Sequence, residues 1–350
     1  MMSGESDKIC KGSASKIASK NSGVCEVNDT LQKMSIEDKD IVSVCANCGK
    51  KGNDVTNICN KCKQVKYGNA VCKKIHKKKH KKECKEHIRL AAEKRDEELR
   101  LAAEKHDEEL FKQPPQPEDC PICFQRLPAI TSGWRYYACC GKRVCSGCAH
   151  APVYDSQGNK VDNKKCPFCR TPHPITDEEI IKRYEKRIEL DDPMAIYNTG
   201  NYYRIGVRGY RKDMDKALEY WHRAGELGYA EAIGNIGNAY YNGIGVKVDK
   251  KKGRRYYEQA AIGGSEVARY NIGYQEEKSG NMERALKHHL IAVRGGYPYS
   301  LEMIQELYTN GHATKEDYTK ALQLYQEYLS EIKSTQRDKA AAADEKFRYY

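Results

Sequence analysis

The sequence predicts a multidomain chain: two small zinc-stabilised fingers and an all-α solenoid, joined by a charged helix and preceded by a disordered N-terminus. Three observations predict it. Of 16 cysteines, all but Cys10 and Cys25 fall between Cys45 and Cys169, most of them in close pairs. An 11-residue run occurs twice in succession, as RLAAEKRDEEL (Arg89–Leu99) and RLAAEKHDEEL (Arg100–Leu110). After Arg170 cysteine disappears, and Tyr, Ala and Gly recur with a period near 36 residues.

Composition sets the bounds. A chain of 350 residues holds two to four domains. It contains no run of eighteen apolar residues, so no membrane span is expected. Its start lacks an apolar signal core, which points to an intracellular protein of the cytosol, the nucleus or both. Sixteen cysteines in such a chain suit metal binding in a reducing compartment better than disulfides. The net charge is +12, but Lys73 to Lys85 alone carry eight lysines against Glu83. That excess sits on one short helix without interleaved aromatics. It reads as a solvated face, and nucleic acid is not an expected partner, although phosphate contact is the other use such a helix could have.

Residues 1–43 are rich in Ser, Lys, Gly and Asn without periodicity and read as a disordered tail, with Cys10 and Cys25 as free thiols. Residues 45–84 form the first cysteine-rich module. Residues 85–113 read as a helical spacer, because the duplicated run is built of strong helix formers. Ile88, Ala92, Leu99, Ala103 and Leu110 fall on one thin stripe, which suits either a solvated spacer or a short coiled-coil contact. Pro114, Pro115 and Pro117 stop that helix.

The second module, 118–172, holds four pairs: Cys120/Cys123, Cys139/Cys140, Cys145/Cys148 and Cys166/Cys169. A Cys-x2-Cys knuckle sets two thiolates at two corners of a tetrahedral zinc. Four pairs imply two closed four-thiolate sites, structural and not catalytic, because no corner is left for water. Residues 177–334 read as stacked helix pairs. Ala217, Gly253, Ala285 and Ala321 mark equivalent helix starts, and Gly228, Gly264 and Gly296 close the units where positive φ is needed. The tyrosines are expected to fill gaps between helices. Residues 335–350 read as a tail.

The 118–172 segment resembles a RING finger through CPIC, its central cluster and CPFCR. The resemblance implies that Cys120, Cys123, Cys145 and Cys148 hold one zinc, and Cys139, Cys140, Cys166 and Cys169 the other. Lys142 stands where the family commonly has histidine, so Cys139 takes that corner as in all-cysteine variants, with His150 the weaker candidate. RING fingers act as ubiquitin ligases by positioning a ubiquitin-loaded conjugating enzyme, with no covalent intermediate of their own. Carried over, Ile122 and Pro167 form the docking patch, and Arg170 is the arginine that bridges ubiquitin and conjugating enzyme. The central docking aromatic has no counterpart in 149–165, which offer Val153 and Tyr154.

Residues 45–84 resemble a MYND finger, a two-zinc peptide-binding module. The resemblance implies that Cys59, Cys62, His80 and Cys84 hold one ion, and Cys45, Cys48 and Cys72 the other. The fourth cysteine expected after Tyr67 is Gly68, and water or His76 could complete that site. The C-terminal units resemble Sel1-like repeats, relatives of the TPR solenoids, which act as adaptors. The order of the three modules is similar to that of a set of diatom proteins. Together they imply a RING-type ubiquitin ligase whose solenoid and MYND-like finger recruit protein or peptide substrates. The alternative is a zinc-dependent interaction scaffold without transfer activity.

Overall fold

The structure, a computed structural model, describes residues 45–49, 52, 55, 57–154, 157, 159–161 and 164–350. The expected disordered tail at 1–43, with Cys10 and Cys25, lies outside the described residues. The chain divides into two compact units, one ending at His106 and the other beginning at Asp107.

In the first unit, β1 (Asn57–Ile58) pairs antiparallel with β2 (Lys66–Tyr67), and helix α1 (Ala70–Leu110) follows. Asn69 starts the helix: its Oδ1 accepts from the Cys72 N–H at 2.8 Å. Cys45, Val55 and Tyr67 are buried together beneath the hairpin. No break occurs between the expected finger and the expected spacer at 84/85; one helix runs through both. The duplicated run repeats its ion pairs. Arg89 reaches Glu86 at 2.6 Å and Glu93 at 2.7 Å, and Arg100 reaches Glu97 and Glu104 at 2.7 Å each. Such solvent-exposed pairs are screened and add only weakly to helix stability. Ile88 and Leu99 of the expected stripe are 42% and 49% exposed.

In the second unit α1 ends at Leu110, which is completely buried among Ile233, Tyr257, Ala260 and Ile272. The cysteine-rich segment follows. Its hairpin pairs β3 (Trp134–Tyr137) with β4 (Lys142–Cys145), then comes the short helix α2 (Ser146–His150) and a second hairpin, β5 (Val153–Tyr154) with β6 (Lys160–Val161). Leu127, Tyr137 and Val144 pack on the buried cysteines as its small core.

Helix α3 (Asp177–Glu189) opens the solenoid. Four antiparallel pairs follow: α4/α5 (Pro193–Ile205, Met214–Glu226), α6/α7 (Ala230–Asn242, Lys250–Ile262), α8/α9 (Glu266–Lys278, Met282–Gly295) and α10/α11 (Pro298–Thr309, Lys315–Ile332). Asp192, Asp213, Asp249, Ser265 and Thr314 accept backbone N–H bonds as N-caps, which fixes where helices begin. Ala217, Ala285 and Ala321 are fully buried where paired helices approach. Gly228, Gly264 and Gly296 take φ of 85°, 98° and 99° behind their helices, as their spacing predicts. The tyrosines do pack between helices: Tyr203 on Tyr220, and Tyr240 on Tyr256. No helix among the described residues is long and apolar enough to cross a membrane.

Residues 335–350 differ from the expected tail. Thr335–Ala343 form helix α12, capped by Ser334, and α12 packs on α2 of the cysteine-rich segment. Arg337, Ala340 and Tyr349 are fully buried. No local pattern signals this docking, because the partner surface, α2, lies far away in the sequence.

Candidate metal centres

Four Cys-x2-Cys knuckles share one backbone design. The N–H two residues past the x2 bridge, immediately after the second cysteine, returns to the carbonyl of the first: Gly49 to Cys45 (2.9 Å), Lys63 to Cys59 (3.0 Å), Phe124 to Cys120 (2.9 Å) and Arg170 to Cys166 (3.0 Å). Each of these four residues has positive φ, between 57° and 72°. That turn aims both thiolates to one side. The third pair of the 118–172 segment is built differently. Cys145 is the N-cap of α2, and its Sγ accepts from the Cys148 N–H at 3.4 Å.

These local devices converge on four groups, each with its donor atoms within 4.8 Å of one another. They are Cys120, Cys123, Cys145, Cys148; Cys139, Cys140, Cys166, Cys169; Cys59, Cys62, His80, Cys84; and Cys45, Cys48, Cys72. A zinc with roughly 2.3 Å arms makes tetrahedron edges near 3.8 Å. The sulfur separations suit that size: Cys123–Cys145 3.7 Å, Cys140–Cys166 3.9 Å, Cys59–Cys84 3.7 Å and Cys48–Cys72 3.8 Å. All these cysteines are free, and a disulfide would need about 2.05 Å. His80 turns Nε2 to Cys62 at 3.3 Å and leaves Nδ1 facing Glu83 at 3.6 Å. Soft thiolate donors with one imidazole and no carboxylate fit zinc.

Without metal the close thiols perturb one another. Burial pushes the Cys84 thiol up to about 11, with the nearby Cys59 and Cys62 thiolates adding to it. Cys45 goes the other way. The backbone N–H of Gly68, then those of Cys48 and Asn47, hold it down to about 6.

Two alternative donors lie outside these groups. His76 does not join Cys45, Cys48 and Cys72; its Nδ1 meets the Tyr67 hydroxyl at 3.4 Å. Its place on the helix face was right, but Tyr67 claims the ring. His150, the weaker candidate for the Lys142 corner, lies against the Phe347 ring at 5.4 Å, outside the Cys139 group. Of the expected docking residues, Ile122 is 37% exposed on the first knuckle, while the partly exposed Pro167 and the exposed Arg170 sit on the last.

Sequence reading missed the contribution of α12. The Arg337 guanidinium lies 3.9 Å from the Cys123 sulfur, and the Gln336 side-chain oxygen lies 3.8 Å from that of Cys148. Only a capping serine before an alanine-rich run hinted at a helix there.

Known proteins match parts of the chain. Residues 45–84 match the MYND finger family, and 193–229, 230–265 and 306–327 match the Sel1 repeat. The third helix pair, whose two helices are joined by only Ser279, Gly280 and Asn281, falls between the matched repeats. The ERAD-associated E3 ubiquitin-protein ligase component HRD3B of Arabidopsis thaliana is 30% identical over 32% of this chain and 18% of its own length. The E3 ubiquitin-protein ligases GW2 of Oryza sativa subsp. indica and DA2 of Arabidopsis thaliana are 32% and 30% identical over 20% of this chain each, covering 15% and 16% of theirs. The chain thus spans less than a quarter of these relatives. Among solved structures, a Sel1 repeat protein from Oxalobacter formigenes aligns with a TM-score of 0.38 at 23% identity, over 47% of this chain and 68% of that one.

Proposed function

We propose that the protein is a zinc-dependent, RING-type ubiquitin ligase. Its Cys120–Cys169 finger would hold a ubiquitin-loaded conjugating enzyme, and its repeats and MYND-like finger would recruit a protein substrate. The observation that carries this reading is the interleaving of the two four-cysteine groups. The first and third pairs meet at one point and the second and fourth at another, which is the cross-brace a RING finger uses. Partial likeness to proteins named as E3 ligases or ligase components supports it.

Zinc would be bound as a structural ion at these sites, three of them with four donors and one with three. Arg170 would work by positioning: its left-handed backbone sets the guanidinium just past the last knuckle, exposed to solvent. A planar fork of donors there can bridge two carbonyls on neighbouring proteins. Auto-ubiquitination with a panel of conjugating enzymes tests the reading. Wild type is expected to build chains, and Arg170→Ala to slow them strongly while keeping its zinc. Absence of chains with every enzyme would leave a zinc-dependent scaffold. One observation favours that second reading: the described residues of 149–165 supply no aromatic beyond Tyr154 for the centre of a docking groove.

A further inference from the structure

Arg337 is among the largest fully buried side chains of the protein. Burying a guanidinium is costly unless it meets partners with lone pairs or negative charge. Arg337 has both. One Nη donates to the Arg126 carbonyl at 2.9 Å and to the Ile332 carbonyl at 2.6 Å. The other donates to the Gln125 carbonyl at 3.4 Å and lies 3.9 Å from the Cys123 sulfur. Its Nε–H is buried with no hydrogen-bond partner among the described residues. The residue therefore clamps the first knuckle of the finger to the C-terminal end of the solenoid's last helix.

The contact admits no slack. A Cβ on Gly147 of α2 would come within 2.9 Å of the Arg337 backbone nitrogen. Two neighbouring contacts brace the same seam. Arg126 pairs with Glu331 at 2.5 Å, and the Ala129 N–H donates to the Tyr328 hydroxyl at 2.9 Å.

We infer that Arg337 is the charge-compensating positioning residue of the Cys120/Cys123/Cys145/Cys148 zinc site, and that metal binding there is coupled to the docking of the C-terminal helix. Four thiolates around a divalent ion leave two negative charges in a largely buried place. A monocation fixed beside them stabilises that state, as outer-layer partners of metal ligands commonly do. The inference rests on zinc occupying the site, not on ligase activity, so it survives failure of the ubiquitination test.

Zinc release from the full-length chain to a chelator tests it, with Arg337→Met and Arg337→Lys beside wild type. The Met variant is expected to lose one ion per chain roughly 10- to 100-fold more readily, the others leaving as in wild type. The Lys variant should recover part of that loss. Unchanged release would overturn the inference, and so would equal loss from every site accompanied by melting of the helices, which would mark Arg337 as a general folding residue. The reverse experiment avoids any change at Arg337. Coupling between two sites is reciprocal. Cys123→Ser should therefore raise hydrogen exchange across 335–343 while the α4–α9 helices keep their protection. A helix that stays protected when the site is emptied would also overturn it.

Discussion

The guanidinium of Arg269 caps a helix that begins two hundred residues earlier in the chain. It donates to the Leu110 carbonyl at 2.7 Å, and also to the Ala261 carbonyl at 2.7 Å. A buried cation thus satisfies the end of α1 and the end of α7 at once, where each helix leaves carbonyls without intrahelical partners. Asp107 pairs with Arg284 on the same seam, and Phe111 rests on His288 at 4.7 Å between ring centres.

This anchoring gives the two halves of the duplicated run different fates. Leu99 and Leu110 occupy the same position in the repeat, yet Leu99 is 49% exposed and Leu110 is 0% exposed. Leu110→Ala is expected to destabilise the solenoid by about 2–5 kcal/mol. Leu99→Ala should change stability by less than about 0.5 kcal/mol. Urea denaturation followed by circular dichroism would separate the two; equal effects would contradict the burial difference.

Gly253 stands where the other units have a buried alanine. A Cβ there would meet the Tyr241 backbone nitrogen at 2.7 Å and the Gly237 carbonyl oxygen at 2.9 Å. Backbone cannot yield as a flexible side chain can. Gly253→Ala should therefore cost about 1–3 kcal/mol despite the better helix propensity of alanine, which alone would stabilise by about 1 kcal/mol. A raised melting temperature would show that α6 and α7 have room to part.

Gly68 occupies the position where the MYND-like pattern expects a ligand. A Cβ there meets only the Cys45 Cβ, at 4.0 Å, and φ at this glycine is not in the left-handed range. Gly68→Cys is thus sterically free to add a thiolate beside Cys45, Cys48 and Cys72. The variant is expected to bind zinc more tightly at this site and, loaded with cobalt, to gain thiolate charge-transfer absorption per chain. No gain in absorption would mean that the added sulfur cannot reach the metal.

His288 supplies an acid-sensitive element in the solenoid. Burial, helped by Arg269 and opposed by Glu276, pushes its imidazole down to about 3; Arg284 and His289 also act against its charge. The folded state keeps it neutral, whereas the unfolded chain takes up a proton below about 6.5. The unfolded state then binds more protons, so stability falls as pH drops from 6.5 toward 3. Glu266 has the opposite sign, because burial raises its carboxyl to about 7 and the folded state holds its proton longer. Comparing variant with wild type removes that term. His288→Leu should gain on wild type by roughly 3 kcal/mol between pH 7 and pH 4 in urea midpoints. A constant difference would show that His288 is not the group responsible.

Much of the candidate site was legible in the sequence because its rules are local. A Cys-x2-Cys knuckle closes over five residues, as the bond from Phe124 to Cys120 shows. The donor groups around Cys59 and Cys139 contain the members that the resemblances to the MYND and RING fingers imply. Where a neighbour competes, local spacing leaves alternatives open. His76 lies on the right helix face, but Tyr67 holds its ring.

The sequence by itself determined the cysteine knuckles, the helix starts at Asp192, Asp213 and Asp249, and the period of alanines and glycines that stacks the helix pairs. Each depends on ligand reach, capping or helical repeat within a turn or two of chain. Only tertiary structure decided that Leu110 is covered while Leu99 is not, and that residues 335–350 dock instead of trailing. Arg337 meets Cys123 across 214 residues of sequence. Contacts of that kind are set by which surfaces the folded solenoid brings within reach, and no local pattern of residues encodes them.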